Sequence, residues 1–213
     1  MNVLDNFYNI QKVVNSLSKN TKIIAVSKNF SIEKINPLIK AGHKDFGENK
    51  VQEATLKWSS VLKENTDINL HLLGHLQSNK VSEAVNIFNY IHSLDSEKLA
   101  NKFMQEQEKK AKKLKYFIQI NVGEEKQKSG ISIKDSHDFI NFCRNEAKLE
   151  ILGLMCIPPV NEDPNSYFSK LRELGLSNSL LQLSMGMTHD YVDAIRHGTT
   201  YIRIGTGIFG ERI

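Results

Sequence analysis

The sequence predicts a (β/α)8 barrel. About eight short apolar runs recur along 213 residues, each followed by a polar turn and an amphipathic stretch. Several runs are β-branched and nearly continuous, as strands buried on both faces require. The length lies just above the lower bound of roughly 200 residues for such a barrel. An open doubly wound sheet fits the same alternation.

The predicted strands, in order, are Lys22–Ser27 (KIIAVS), His43–Asn49 (HKDFGEN), Asn69–Gly74 (NLHLLG) and Tyr90–Leu94 (YIHSL). Lys115–Val122 (KYFIQINV), Leu149–Ile157 (LEILGLMCI), Leu181–Gly186 (LQLSMG) and Tyr201–Gly207 (YIRIGTG) follow. HKDFG and YIHSL are the shortest and most polar. Between the runs lie helical patterns. SIEKINPLIKAG sets Ile32, Ile35, Leu38 and Ile39 on one face and stops at Gly42. NKVQEATLKWSSVLKE and SEKLANKFMQEQEKKAKK read as longer helices. HDYVDAIRHG gathers Tyr191, Val192 and Ile195 and ends at Gly198. An extra helix, about Val3 to Leu17, precedes the first strand.

Composition bounds the function. Forty per cent hydrophobic and 24 per cent charged residues suit an ordinary globular chain. A net charge of +4 from interspersed Lys and Glu points away from nucleic acid, and the KKAKKLK run reads as a solvated helix face. Cys143 and Cys156 lack zinc or CxxC spacing, which suggests a reducing cytoplasm. MNVLDNFYNI has no apolar signal-peptide core, and no run is long enough to span a membrane. A cytoplasmic protein is expected.

The chain closes on Gly205, Gly207 and Gly210 in G-x-G-x-x-G spacing. A dinucleotide fingerprint needs a full helix behind it and an acidic residue about 20 positions on, and three residues after Gly210 are too few to supply them, so no dinucleotide site is expected. A barrel offers another use, because its phosphate sites often sit in the loops after strands 7 and 8. Backbone amides near Gly205 and Gly207, the Thr206 hydroxyl, Ser184 and the amides around Gly186 converge there. The plain alternative is that the glycines only close the barrel.

Lys28 directly follows the first strand, on the face where barrels do chemistry, and strands 1 and 8 are neighbours when a barrel closes. A partly buried lysine loses basicity and can attack a carbonyl to form a Schiff base. An amine beside a phosphate pocket suits a phosphorylated aldehyde. Arg203 alternates with Ile202 and Ile204 and should point into the barrel with Tyr201. Its uses are an internal salt bridge or a ligand contact. His71 and His75 lack the Glu of HExxH and flank Gly74, so no metal site is expected.

The segments AVSKNF, DFGENKVQEA, HLLGHLQSNK, QINVGEEKQKSGI, GLMCIPP and LSMGMTHDYVDAIRHGTTYIRIGTGIFGER resemble the pyridoxal-phosphate homeostasis proteins. These are single-domain relatives of the alanine racemase N-terminal TIM barrel. The match runs from about Lys22 to the C-terminus, with Lys50 after GEN and Thr188-His189 as departures. The resemblance implies one barrel domain over residues 1–213 that binds pyridoxal 5′-phosphate (PLP). It implies that Lys28 forms the Schiff base, that Ser184, Gly205 and Thr206 hold the phosphate, and that Arg203 faces the pyridine nitrogen. Asn49 and Met155 would lie near the ring.

An arginine keeps its proton, with a pKa above about 12, and leaves the ring a poorer electron sink. Racemisation also needs acid–base groups on both faces of the substrate carbon. In alanine racemase a partner subunit and a second domain help complete the site; neither is expected here. The expectation is a monomeric carrier that buffers PLP or delivers it to PLP-dependent apo-enzymes, without an established reaction. A slow amino-acid racemase is the alternative, and a sugar-phosphate aldolase is what the residues alone would also allow.

Overall fold

A computed structural model describes residues 2–211. Met1, Arg212 and Ile213, and with them the Arg that ends the GIFGER segment, lie outside the described residues. Eight parallel strands close into a barrel in chain order. They are β1 (Lys22–Val26), β2 (Asp45–Glu48), β3 (Asn69–Leu72), β4 (Tyr90–Leu94), β5 (Lys115–Gln119), β6 (Glu150–Met155), β7 (Gln182–Ser184) and β8 (Tyr201–Ile204). Closure pairs β1 with β8, from Lys22 opposite Tyr201 to Ala25 opposite Ile204.

Helices wrap the outside. They are α1 (Val3–Leu17), α2 (Ile32–Lys40), α3 (Val51–Trp58), α4 (Val61–Glu64), α5 (Val81–Ile87), α6 (Glu97–Lys110), α7 (Ser136–Asn145), α8 (Pro164–Ser177), α9 (Tyr191–Arg196) and α10 (Thr206–Phe209). Their ends follow local chemistry. Asn2 caps α1 by accepting from the Asp5 amide, and Ser96 caps α6 through the Leu99 amide. Gly42 and Gly198 leave α2 and α9 at φ of 82° and 81°, in the left-handed region glycine tolerates. The extra helix α1 braces α10, where Asn6 Nδ2 donates to the Ile208 carbonyl at 3.0 Å.

Two differences from the sequence reading have physical causes. Most strands stop short of the apolar runs: residues such as Cys156 and Met185 lie past the ladders yet stay buried, so hydropathy does not mark the strand end. The helix expected through NKVQEATLKWSSVLKE is two, α3 and α4. At the break, Ser59 Oγ donates to the Thr55 carbonyl at 2.5 Å, a local bond of the kind that competes with helix hydrogen bonds.

Two apolar cores result. The larger lies between barrel and helices, and Ile202 and Ile204 of β8 belong to it. The smaller comprises Ile24, Tyr90, Phe117, Met155 and Tyr201. This parity puts Arg203, which alternates with Ile202 and Ile204, on the inner side with Tyr201. The β6–β7 seam is tight. A Cβ on Gly153 would stand 1.7 Å from the Gln182 carbonyl oxygen, so only glycine lets the backbones approach. Gly153→Ala is expected to cost about 3 kcal/mol, at the upper end for overpacking, or to prevent folding. Urea unfolding of the variant checks this; wild-type stability would show that the seam can open without cost.

Candidate functional site

All seven residues expected at the site stand at or just beyond the C-terminal ends of parallel strands. Lys28 follows β1, Asn49 follows β2, Met155 ends β6 and Ser184 ends β7. Arg203 is the penultimate residue of β8, and Gly205 and Thr206 follow it. The ideal Cβ position of Gly205 lies 3.6 Å from Val26 Cβ, so the β1 and β8 exits are adjacent.

Lys28 is half-buried, and the backbone on both sides of it is held. Ser27 donates its amide to Gly47 O at 2.9 Å, and its carbonyl accepts from Lys57 Nζ at 2.8 Å. Asn29, at φ 63°, donates its amide to Glu53 Oε1 at 2.5 Å. Behind this turn lies Glu48, fully buried. One oxygen, Oε1, accepts from Ser27 Oγ at 2.7 Å, and from Lys57 Nζ and Trp58 Nε1 at 2.9 Å each. Lys57 also meets Glu53 at 2.9 Å. A buried carboxylate is tolerated only when paired and hydrogen-bonded. Here the pairing ties the β1 exit to α3.

Asn49 is half-buried beside this anchor, and its carbonyl presses on Gly74, where a Cβ would come within 2.3 Å. Met155 is buried in the inner core.

Arg203 is buried, and burial draws its pKa below the usual guanidinium value. No carboxylate pairs with it within ion-pair distance among the described residues. Its acceptors are Ser184 Oγ, 2.8 Å from Nη1, and the Cys156 carbonyl, 2.9 Å from Nη2. Ser184 is itself fully buried, with Oγ also 2.9 Å from His92 Nδ1. His92 Nε2 lies 2.9 Å from His71 Nδ1, and His71 Nε2 lies 3.0 Å from Asp45 Oδ1. Burial pushes both imidazoles below their ordinary pKa, His92 much the further. Burial likewise pushes the Cys156 thiol up to about 12, so it is no nucleophile.

A second group forms where the β7 and β8 loops meet. Thr188 Oγ1 lies 3.3 Å from Thr206 Oγ1 and accepts from the Gly207 amide at 3.3 Å. The three terminal glycines have three separate causes. Gly210 adopts φ 81°. Gly207 is packed: a Cβ there would meet Ile204 at 3.0 Å and Thr188 at 3.1 Å. Gly205 has room, with no heavy atom closer than 3.6 Å to the missing Cβ, so neither packing nor positive φ explains it. The structure thus brings Gly205 and Thr206 together with Thr188, while the Ser184 hydroxyl engages Arg203 and His92 instead.

Sequence reasoning passed over Glu48, Lys57, Trp58, His92 and Asp45. For Asp45, Glu48 and His92 the signal was polar residues inside the short strands DFGE and YIHSL; Lys57 and Trp58 lie at the end of α3, where the sequence carries none. Among the described residues no cluster of three metal-ligating side chains occurs, and no helix is long and apolar enough to cross a membrane. A groove of about 870 Å³ lies elsewhere, beside α6, α7 and the starts of β5 and β6.

Comparison with known proteins gives a consistent result. The family model described as alanine racemase, N-terminal domain, matches residues 4–213. A protein of Aquifex aeolicus (strain VF5) named pyridoxal phosphate homeostasis protein is 36% identical over 200 residues, covering 90% of this chain and 87% of its own. PipY of Synechococcus elongatus PCC7942, solved with PLP bound, is 32% identical at a TM-score of 0.87, covering 98% of this chain and 100% of its own. Alanine racemase of Clostridium difficile 630 shares the fold at a TM-score of 0.76 and 14% identity, with this chain covering 58% of it.

The buried histidines give a pH dependence. An unfolded histidine takes up a proton near about pH 6.5, whereas His71 and His92 do so only at lower pH in the fold. Below about 6.5 the unfolded chain binds more protons, so their contribution is full above that pH and is lost as pH falls. Urea midpoints are expected to drop between about pH 7.5 and about 5.5, and less steeply for His92→Gln. Equal slopes in the two proteins would mean that His92 is not held neutral.

Proposed function

The chain belongs to the alanine racemase N-terminal domain family, and on that premise we propose that it is a PLP-binding protein of PLP homeostasis. It holds the cofactor on Lys28 and buffers it or delivers it to PLP-dependent apo-enzymes. The observation that carries this reading is the adjacency of the two strand exits, with a half-buried lysine at one and an unfilled glycine at the other.

The residues fit the group. Gly205 has no side chain to hold a phosphate away from its backbone, and the Thr206 and Thr188 hydroxyls lie alongside. We assign Thr188 to the phosphate beside Gly205 and Thr206, and Ser184 to the support of Arg203. Arg203 uses Nη1 and Nη2 for its internal acceptors. A guanidinium has five N–H groups, so donors remain for a ring nitrogen. Asn49 and Met155 border the ring. When bound, PLP supplies an aldehyde and an electron-withdrawing ring. Lys28 would be the residue that holds that aldehyde, through its amine. The anchored backbone around Lys28 would fix where the amine stands.

We read the chain as a carrier. Arg203 holds its own proton and gives none to the ring nitrogen. The titratable side chain hydrogen-bonded to Ser184 is His92, whose ring is buried in the barrel and whose pKa burial holds well below its ordinary value. Proton abstraction on either face of a substrate carbon would need a base that reaches it.

Two experiments test the reading. The purified protein charged with PLP is expected to absorb as a Schiff base, and borohydride followed by peptide mapping should place the pyridoxyl group on Lys28. Lys28→Ala should lose adduct and absorbance; an adduct on another lysine would sink the assignment. Thr206→Val is expected to weaken PLP about tenfold, a typical loss for one hydrogen bond to a charged group. Pyridoxal, which lacks the phosphate, should bind this variant as it binds wild type, and equal losses for both ligands would place Thr206 away from the phosphate.

A further inference from the structure

We propose that Asp45, His71 and His92 are positioning residues for Arg203, linked to it through Ser184 in a one-directional chain of hydrogen bonds along the barrel interior. The proposal rests on the PLP reading above, because the group being positioned is the one that faces the cofactor ring. It goes further, since it assigns a role to residues that run from beside Ser184 to Asp45 at the start of β2.

The direction follows from elimination. Asp45 is a carboxylate, an acceptor only, so His71 Nε2 must carry the hydrogen in their 3.0 Å contact. Burial raises the Asp45 pKa, but the hydrogen bonds it accepts, from His71 above all, hold it below the usual carboxylate value. A neutral His71 then has a bare Nδ1, which can only accept. The 2.9 Å contact therefore takes its hydrogen from His92 Nε2. A neutral His92 in turn has a bare Nδ1, so the Ser184 hydroxyl donates to it across 2.9 Å. That leaves the Ser184 lone pairs for Arg203 Nη1, at 2.8 Å. Every donor has an acceptor, from the guanidinium at one end to the carboxylate at the other. The opposite direction needs a second proton on His71, which full burial opposes.

The surroundings suit this role. His71 stacks on Tyr90 at 4.3 Å, and His92 stacks on Phe117 at 4.5 Å, so both rings are held in plane. The charged and titratable groups nearby are His43 beside Asp45, Lys22 over Tyr201, Lys115 over Tyr90, the two tyrosines, and Asp190 and Cys156, which act on Arg203. Asp190 acts on Arg203 from beyond ion-pair distance. Asp45 is the carboxylate hydrogen-bonded into the chain, and its 18% exposed side chain lies at the start of β2, away from the cofactor end. Polarised links strengthen one another in a low-dielectric interior. The consequence is a serine hydroxyl oriented by His92 and a guanidinium held at fixed depth.

The test uses the full chain. Nitrogen-15 NMR of the cofactor-free protein near neutral pH is expected to show both imidazoles as neutral Nε2–H tautomers. Asp45→Asn and His92→Phe, each confirmed folded by circular dichroism, should bind PLP about tenfold more weakly and shift the absorbance band of the bound form. A purely structural role would lower stability and leave that band in place. An Nδ1–H tautomer at either histidine, or variants with wild-type affinity and band, would overturn the proposal. Failure of the wild type to take up PLP would overturn the functional reading and the cofactor-directed role with it. That outcome is distinguishable, because the tautomers are measured without cofactor and the wild type serves as its own control.

Discussion

A buried guanidinium with no carboxylate beside it dominates the interior of this barrel. Arg203 sits within a ring of aromatic and aliphatic side chains, where an unpaired cation would be expensive. Its direct acceptors are a hydroxyl and a backbone carbonyl. Both are dipoles, and a dipole helps only if it points the right way. The Cys156 carbonyl is oriented by its place after β6. Ser184 has no such constraint, since its hydroxyl rotates freely until something accepts its hydrogen. His92 is that acceptor, and the remainder of the internal polar chain exists to keep His92 in the state that can accept.

The outer face of the same barrel end solves a related problem with charge instead. Glu48 and Lys57 are both nearly inaccessible, and their pairing spans β2 and α3 while gripping the turn that carries Lys28. One carboxylate oxygen takes three donors, so losing any one of them leaves the others to compensate. This places rigid support behind the flexible four-carbon stem of the lysine. The two devices differ in kind: a neutral relay orients the inside, and a compact ion cluster anchors the outside.

The barrel was legible because its period was legible. Continuous apolar runs separated by amphipathic helices leave few other folds, and β4 matches its run from Tyr90 to Leu94. The inward parity of Arg203 could be read directly from alternation with Ile202 and Ile204. The contacts of Ser184 could not. Its place at the end of β7 suggested the phosphate loop, but orientation on a short strand depends on which face carries the partner, and that partner lies 92 residues away. The same distance hid the role of YIHSL, whose histidine makes a strand look weak by hydropathy while it is the residue the interior needs. Glu48 was overlooked for a similar reason: it sits in the GEN motif, but its partners come from the helix that follows.

The terminal glycines show why a spacing pattern is weak evidence on its own. Gly210 answers to backbone conformation and Gly207 to packing against Thr188 and Ile204, whereas at Gly205 neither a positive φ nor a close contact requires glycine. The G-x-G-x-x-G spacing therefore combines positions with separate causes, two of which are backbone conformation and packing. The closure of β8 on β1 sets Gly205 beside the exit that leads to Lys28. The proposed site depends on topology first: the first and last strands must meet before a lysine near the start of the chain and a glycine near its end can stand side by side.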